Sequence, residues 1–142
     1  MTRLIVGIGN LLRGDDAAGL RVVQALGVSD TVVEHDGEPA SLIARREGFD
    51  EVVLVDAVTA DQPPGTVVEI DATHSVLPAA MCHSTHALGP AEAVELARAL
   101  GKLPSSITLM GIEGASYSFG TGLSPQVELA VGEIVKRLQG IA

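Results

Sequence analysis

The chain has 142 residues, 9 basic against 18 acidic, and a net charge of -9, a balance that repels a phosphate backbone and argues against nucleic acid as a partner. Its length suits a single domain, 1–142, with a core of Val, Leu, Ile and Ala, because Trp is absent and only one Tyr and two Phe occur. The lone Cys82, the lack of a signal-peptide pattern in Met1 to Val6, and the lack of an apolar run of about twenty residues point to a soluble, cytoplasmic protein without a membrane partner.

Leu4 to Ile8 is a short β-branched run expected to form a buried strand. Gly7 and Gly9 allow a tight bend at its carboxyl end. The loop Asn10 to Gly14 then delivers Asp15 and Asp16 to an amphipathic helix with Leu20, Val23 and Leu26 on one face. One Asp suffices to cap that helix, so Asp15 is expected to be the cap and Asp16 the group free for chemistry.

Thr31 to Asp36 reads as a second strand, and Pro39 opens a short helix running to Arg46. Glu51 to Val58 is a third strand, nearly all apolar, as a parallel strand covered on both faces must be. The connection Thr59 to Pro64 is too short for a crossover helix, so the fourth strand, Gly65 to Asp71, is predicted to run antiparallel at an edge. Ala72 to Thr85 has no period and reads as a long loop. A helix follows from about Leu88 or Gly89 to Leu100, with Pro90 tolerable in its first turn. Ser106 to Ile112 is the fifth strand, Gly114 to Ser124 a glycine-rich loop, and Val127, Val131, Ile134 and Leu138 mark the last helix.

Alternating strands and helices predict a three-layer α/β/α domain. Right-handed crossovers give a mixed five-stranded sheet of order 2-1-3-5-4, with a switch point between strands one and three. Asp16 follows strand one and Asp56 ends strand three, so both carboxylates are expected to face the crevice where open α/β sheets bind ligands.

Three chemistries can be weighed for that crevice. Gly7-Ile-Gly9 begins like a dinucleotide fingerprint, but Leu12 replaces the third glycine and the paired acids oppose a pyrophosphate. Cys82 with His83 or His86 could make a thiol site, yet closeness in sequence does not set a Cys–His hydrogen bond, and a loop cysteine without a role is the plainer reading. Asp16, Asp56 and His86 supply two carboxylates and an imidazole, a set that suits a divalent first-row ion and leaves positions open for another ligand. Each of the three has an ordinary structural explanation taken singly; the topology that gathers them at one end of the sheet favours the site. His83 could add a ligand, but a solvated loop residue is its plainer reading, while His35 and His74 receive no role.

The stretch Gly7-Ile-Gly9-Asn10-Leu-Leu-Arg-Gly14-Asp15-Asp16-Ala-Ala-Gly19-Leu-Arg21 resembles the N-terminal signature of the hydrogenase maturation endopeptidases. Val55-Asp56-Ala57, Ser84-Thr85-His86-Ala87-Leu88-Gly89, Gly111-Ile112-Glu113-Gly114 and Gly122-Leu123-Ser124-Pro125 agree with that family in order and spacing. The resemblance implies a phosphorylase/hydrolase-like fold and an aspartic-type endopeptidase. Its substrate would be the precursor of a nickel–iron hydrogenase large subunit, met transiently after nickel insertion and relieved of a C-terminal extension. It also implies that Asp16, Asp56 and His86 are the metal-contacting and catalytic residues. The nickel would be the substrate's, with no tightly bound metal of the enzyme's own. Many relatives carry Glu at the position of Asp16, and others continue Asp-Gly-Gly-Thr where this chain has Asp36-Gly-Glu38-Pro, which leaves the roles of Asp36 and Glu38 open. The rival readings are a small-molecule metallohydrolase with a resident ion and a non-catalytic nickel chaperone. A metal-polarised water and a carboxylate general base are both compatible with the acids.

Overall fold

A computed structural model of the chain describes residues 2–74 and 90–140. Five strands, β1 (Arg3–Ile8), β2 (Val32–His35), β3 (Glu51–Val58), β4 (Val67–Asp71) and β5 (Ser106–Glu113), form one sheet of order β2-β1-β3-β5-β4. β1 pairs in parallel with β2 and β3, and β3 with β5, whereas β4 runs antiparallel along β5 from Val67↔Ile112 to Asp71↔Thr108. This is the predicted order. The short link after β3 cannot cross back over the sheet, so β4 is confined to an edge beside β5.

Period-two alternation sorts the core onto the two faces. Leu4, Val6, Ile8, Val52, Leu54, Ile107 and Leu109 pack under α2 (Pro39–Arg45) and α3 (Pro90–Ala99) with Leu42, Ala93 and Val94. Ile5, Val53, Val55, Met110 and Ile112 pack under α1 (Ala18–Leu26) and α4 (Pro125–Leu138) with Val22, Val23, Val127 and Ile134. The layers are therefore helix, sheet, helix, with β1, β3 and β5 covered on both sides. No helix among the described residues is long and apolar enough to cross a membrane.

The first helix departs from the sequence reading. Gly14–Ala17 is a separate 3₁₀ turn, and α1 begins only at Ala18. Neither the turn nor the helix has a side-chain cap, so Asp15 is not the N-cap it was expected to be. The physical reason lies in the loop after β5, whose Ala115 and Ser116 N–H groups, with Ser124, draw its carboxylate away. Capping is used at α2, where the Glu38 carboxylate accepts the N–H groups of Ala40 (3.2 Å) and Ser41 (2.6 Å) ahead of Pro39 at the first helical position. That answers the open question of Glu38: it is a helix cap.

Arg98, at the end of α3, fixes the direction of that helix. Its guanidinium donates to the carbonyls of Thr73 (3.1 Å) and Ala72 (3.0 Å), and Ala72 in turn donates to Ile107 at the start of β5. α3 therefore ends beside the amino end of β5, and its first residue, Pro90, is turned toward the carboxyl ends of the strands.

Candidate functional site

The site is built where β1 and β3 end and α1 begins. Two glycines bring the backbones together there. A Cβ on Gly9 would stand 1.9 Å from the Asp16 carbonyl oxygen, and one on Gly19 would stand 2.2 Å from that of Val55. Only glycine permits this approach, which sets the 3₁₀ turn directly over the ends of β1 and β3. Asp16 and Asp56, forty residues apart in sequence, are both fully buried at this switch point. By the alternation of β3, Asp56 follows Val52 and Leu54 on the face that α2 and α3 cover.

Burial comes first, and the nearby Asp16 carboxylate second, in pushing the Asp56 carboxyl well above the usual carboxylate range. The Ala57 N–H acts weakly in the opposite direction. Neither carboxylate oxygen of Asp56 meets a partner of good hydrogen-bond geometry among the described residues. Two acids are thus held close together in a low-dielectric crevice, an arrangement that costs stability unless a proton or a cation compensates it. Beyond these two, no group of three or more His, Cys, Asp or Glu side chains that could hold a metal ion occurs among the described residues. His86, the expected third member, lies outside the described residues, as do Cys82 and His83.

Asp15, adjacent to Asp16, does something different. It is fully buried, and its Oδ2 accepts from Ala115 N–H (2.7 Å), Ser116 N–H (3.1 Å) and the Ser124 hydroxyl (2.7 Å), while Oδ1 accepts from Ser124 N–H (2.7 Å). Burial works to raise its pKa, but these hydrogen bonds, those from Ser124 foremost, outweigh burial and hold it below the ordinary value. Sequence reasoning missed Asp15 and Ser124 as a pair because they lie 109 residues apart. The available signal was the Ser-Pro start of α4, which reads as a simple helix cap.

Two further residues shape the walls. Glu113, buried at the end of β5, accepts from Ala60 N–H (2.8 Å) and Gln62 N–H (3.3 Å), tying down the connection that follows Asp56. Tyr117 lies over Gly114 and donates its hydroxyl to the Val58 carbonyl (3.1 Å). Burial, with help from Glu113, Asp15 and Asp16, raises its pKa against a hydrogen bond with Thr59. On the rim, Leu12 and Phe119 are exposed, and the Arg13 guanidinium lies 5.1 Å from the centre of the Phe119 ring. His35, which received no role, closes β2: its Nδ1 accepts Gly37 N–H (2.8 Å) and its Nε2 pairs with Ser41 Oγ (3.1 Å). His74 pairs with Asp71 (2.8 Å) on the surface beside α3, away from the two acids.

The model of a family described as "hydrogenase maturation protease" matches residues 26–141. The chain belongs to the hydrogenase maturation protease family. It is 31% identical over 140 residues to the hydrogenase 2 maturation protease of Escherichia coli, which covers 92% of this chain and 84% of that protein. It is 37% identical over 134 residues to a hydrogenase expression/formation protein, HupD, of Thiocapsa roseopersicina, covering 88% of this chain and 60% of the relative's length. In three dimensions it resembles the hydrogenase maturating endopeptidase HybD from E. coli, with a TM-score of 0.75, 26% identity, and 99% and 91% of the two chains covered. Membership in this family makes the chain a peptidase by class, and the mixed 2-1-3-5-4 sheet is the family's fold.

Proposed function

We propose that this member of the hydrogenase maturation proteases removes the C-terminal extension of a nickel–iron hydrogenase large-subunit precursor once nickel is in place, using Asp16, Asp56 and His86 to contact the nickel that the substrate carries. The observation that carries this reading is the pair of fully buried carboxylates, Asp16 and Asp56, delivered by separate segments to one switch point. A pair of buried acids is stabilised most by a cation, and a cation that arrives with the substrate makes occupancy of the site the test of substrate readiness. Support for His86 is topological. Asp56 lies on the face covered by α3, and α3 begins at Pro90, four residues after His86, at the same end of the sheet.

The contributions of the chain's own residues follow from their surroundings. The two carboxylates hold negative charge against the substrate's metal and fix its distance from the scissile bond. The covered crevice excludes water from the acids, which strengthens every charge interaction within it. Water attack on the scissile carbonyl is then assisted either by the metal or by a carboxylate acting as general base, the aspartic-type route. On the same reading the precursor is met in the cytoplasm, in keeping with the lone Cys82.

The test is incubation of the purified protein with nickel-loaded and nickel-free precursor, followed by mass measurement. A mass loss in the loaded sample alone supports the proposal. No loss in either sample would leave a chaperone role, and a tightly retained stoichiometric ion in the purified protein would instead favour a metallohydrolase with its own metal.

A further inference from the structure

Ser124 stands at the N-cap position of α4, with extended backbone (φ -65°, ψ 150°) and Pro125 after it, yet its hydroxyl makes no cap. It donates instead to Asp15 Oδ2 at 2.7 Å. Asp15 likewise sits in the first turn ahead of α1 without capping anything. Each residue is of the type that local rules would set to satisfy its own helix, and each is turned toward the other across 109 residues of sequence. Departures of this kind from local preference mark places where tertiary demands rule.

The demand is visible in what surrounds Asp16. On one side its backbone abuts Gly9, whose added Cβ would be 1.9 Å from the Asp16 carbonyl oxygen, and Asn10 N–H donates to that same oxygen at 3.4 Å. On the other side Asp15 grips the loop after β5 through four hydrogen bonds, and its own N–H donates to Ser116 O at 2.8 Å. Gly14 completes the fit, since a Cβ there would lie 2.6 Å from Ser116 O and 2.7 Å from Thr121 Oγ1. The 3₁₀ turn is therefore wedged between the end of β1 and the loop 114–124.

We infer that Asp15 and Ser124 form a positioning pair that sets the place of the Asp16 carboxylate opposite Asp56, by locking the 3₁₀ turn to the loop after β5. The inference rests on the processing reading above only for its kinetic consequence; the lock itself is a property of the free protein. Both residues act by positioning. Their part is to fix Asp16, because a catalytic group displaced by about 1 Å loses on the order of a hundredfold in rate.

The experiment compares Asp15→Asn, Ser124→Ala and Ser124→Thr in the full chain. With nickel-loaded precursor, the turnover rate is expected to fall roughly a hundredfold in Asp15→Asn and roughly tenfold in Ser124→Ala, with KM within about twofold of the parent, while Ser124→Thr, which keeps the hydroxyl, stays within about twofold. In the free protein, the carboxyl ¹³C resonance of Asp16 is expected to shift in Asp15→Asn and Ser124→Ala, and faster amide exchange to be confined to residues 10–17 and 114–124. An unmoved Asp16 resonance, a Ser124→Thr variant as slow as Ser124→Ala, or a rate loss that only mirrors a smaller folded fraction would overturn the inference. If the parent protein processes no precursor, the proposed function fails, and the Asp16 resonance and exchange pattern still decide the lock.

Discussion

The Cβ position of Gly19 stands 2.2 Å from the Val55 carbonyl oxygen and 2.6 Å from that of Ile8, so the start of α1 rests on the backbones of both β3 and β1. This contact makes Asp16, three residues earlier, a neighbour of Asp56, one residue later. Gly19→Ala is expected to destabilise the fold by about 1–3 kcal/mol, because the obstacle is backbone and cannot turn aside. Gly132 in α4 provides the opposite case, with nothing within 4 Å of an added Cβ. Gly132→Ala is expected to stabilise by about 0.5–1 kcal/mol through helix propensity. Urea unfolding of the two variants reads both signs, and a Gly19→Ala protein as stable as the parent would show that the contact is slack.

Removing charge from the buried acid pair should separate activity from stability. Burial and the neighbouring Asp16 make an anionic Asp56 costly. Asp56→Asn keeps the shape and lifts that cost, so the unfolding free energy is expected to rise by about 0.5–2 kcal/mol while precursor processing is lost. Thermal unfolding and the processing assay measure the two effects on one sample. A variant that is both less stable and active would reassign Asp56 to a structural role.

Acid sensitivity is predicted at the end of β2. His35 Nδ1 accepts the Gly37 N–H, so the folded ring is neutral with its proton on Nε2, directed at Ser41. Burial foremost lowers its pKa; Asp36 and Glu38 oppose this and Arg45 adds to it. An unfolded histidine takes up a proton as pH falls through about 6.5, whereas the folded ring does so only at lower pH. Its stabilising contribution is therefore complete above about pH 6.5 and is lost as pH drops below it. In His35→Gln the urea midpoint is expected to change less between pH 7 and pH 5 than in the parent. Parallel losses in the two proteins would remove His35 from the account.

How much of this was legible beforehand follows the range of the interactions. Strand β3 announces itself by a run that is apolar but for Glu51 and Asp56, and the six residues Thr59 to Pro64 dictate an antiparallel β4, so the sheet order and the meeting of Asp16 with Asp56 come from local rules and chain length. Asp15 reads locally as a cap because its actual partners, Ala115, Ser116 and Ser124, are 100 or more residues away, and no local pattern encodes them. Glu38 shows no local sign of its role because Glu is not a preferred cap, though here its longer arm reaches both Ala40 and Ser41. The expected loop Ala72 to Thr85 and the motif around His86 lie largely outside the described residues, so His86 rests on resemblance and on the direction of α3.

Glu113 provides a last test, of the wall rather than the acids. Its carboxylate holds the N–H groups of Ala60 and Gln62, and its backbone pairs with Thr66 and Gly65, so one residue fixes both ends of the connection between β3 and β4. Glu113→Ala leaves the N–H groups of half-buried Ala60 and exposed Gln62 without their acceptor, at an expected loss of about 1 kcal/mol. Glu113→Gln retains a carbonyl oxygen able to accept from both, so its loss should be clearly smaller, by the difference between charge-assisted and neutral hydrogen bonds. Because the connection begins three residues after Asp56, the Ala variant should also slow processing, though less than any change at Asp16 or Asp56. Equal stability of the Ala and Gln variants in urea would mean that water replaces the carboxylate freely, and that the connection is held by its backbone pairs with Thr66 and Gly65 alone.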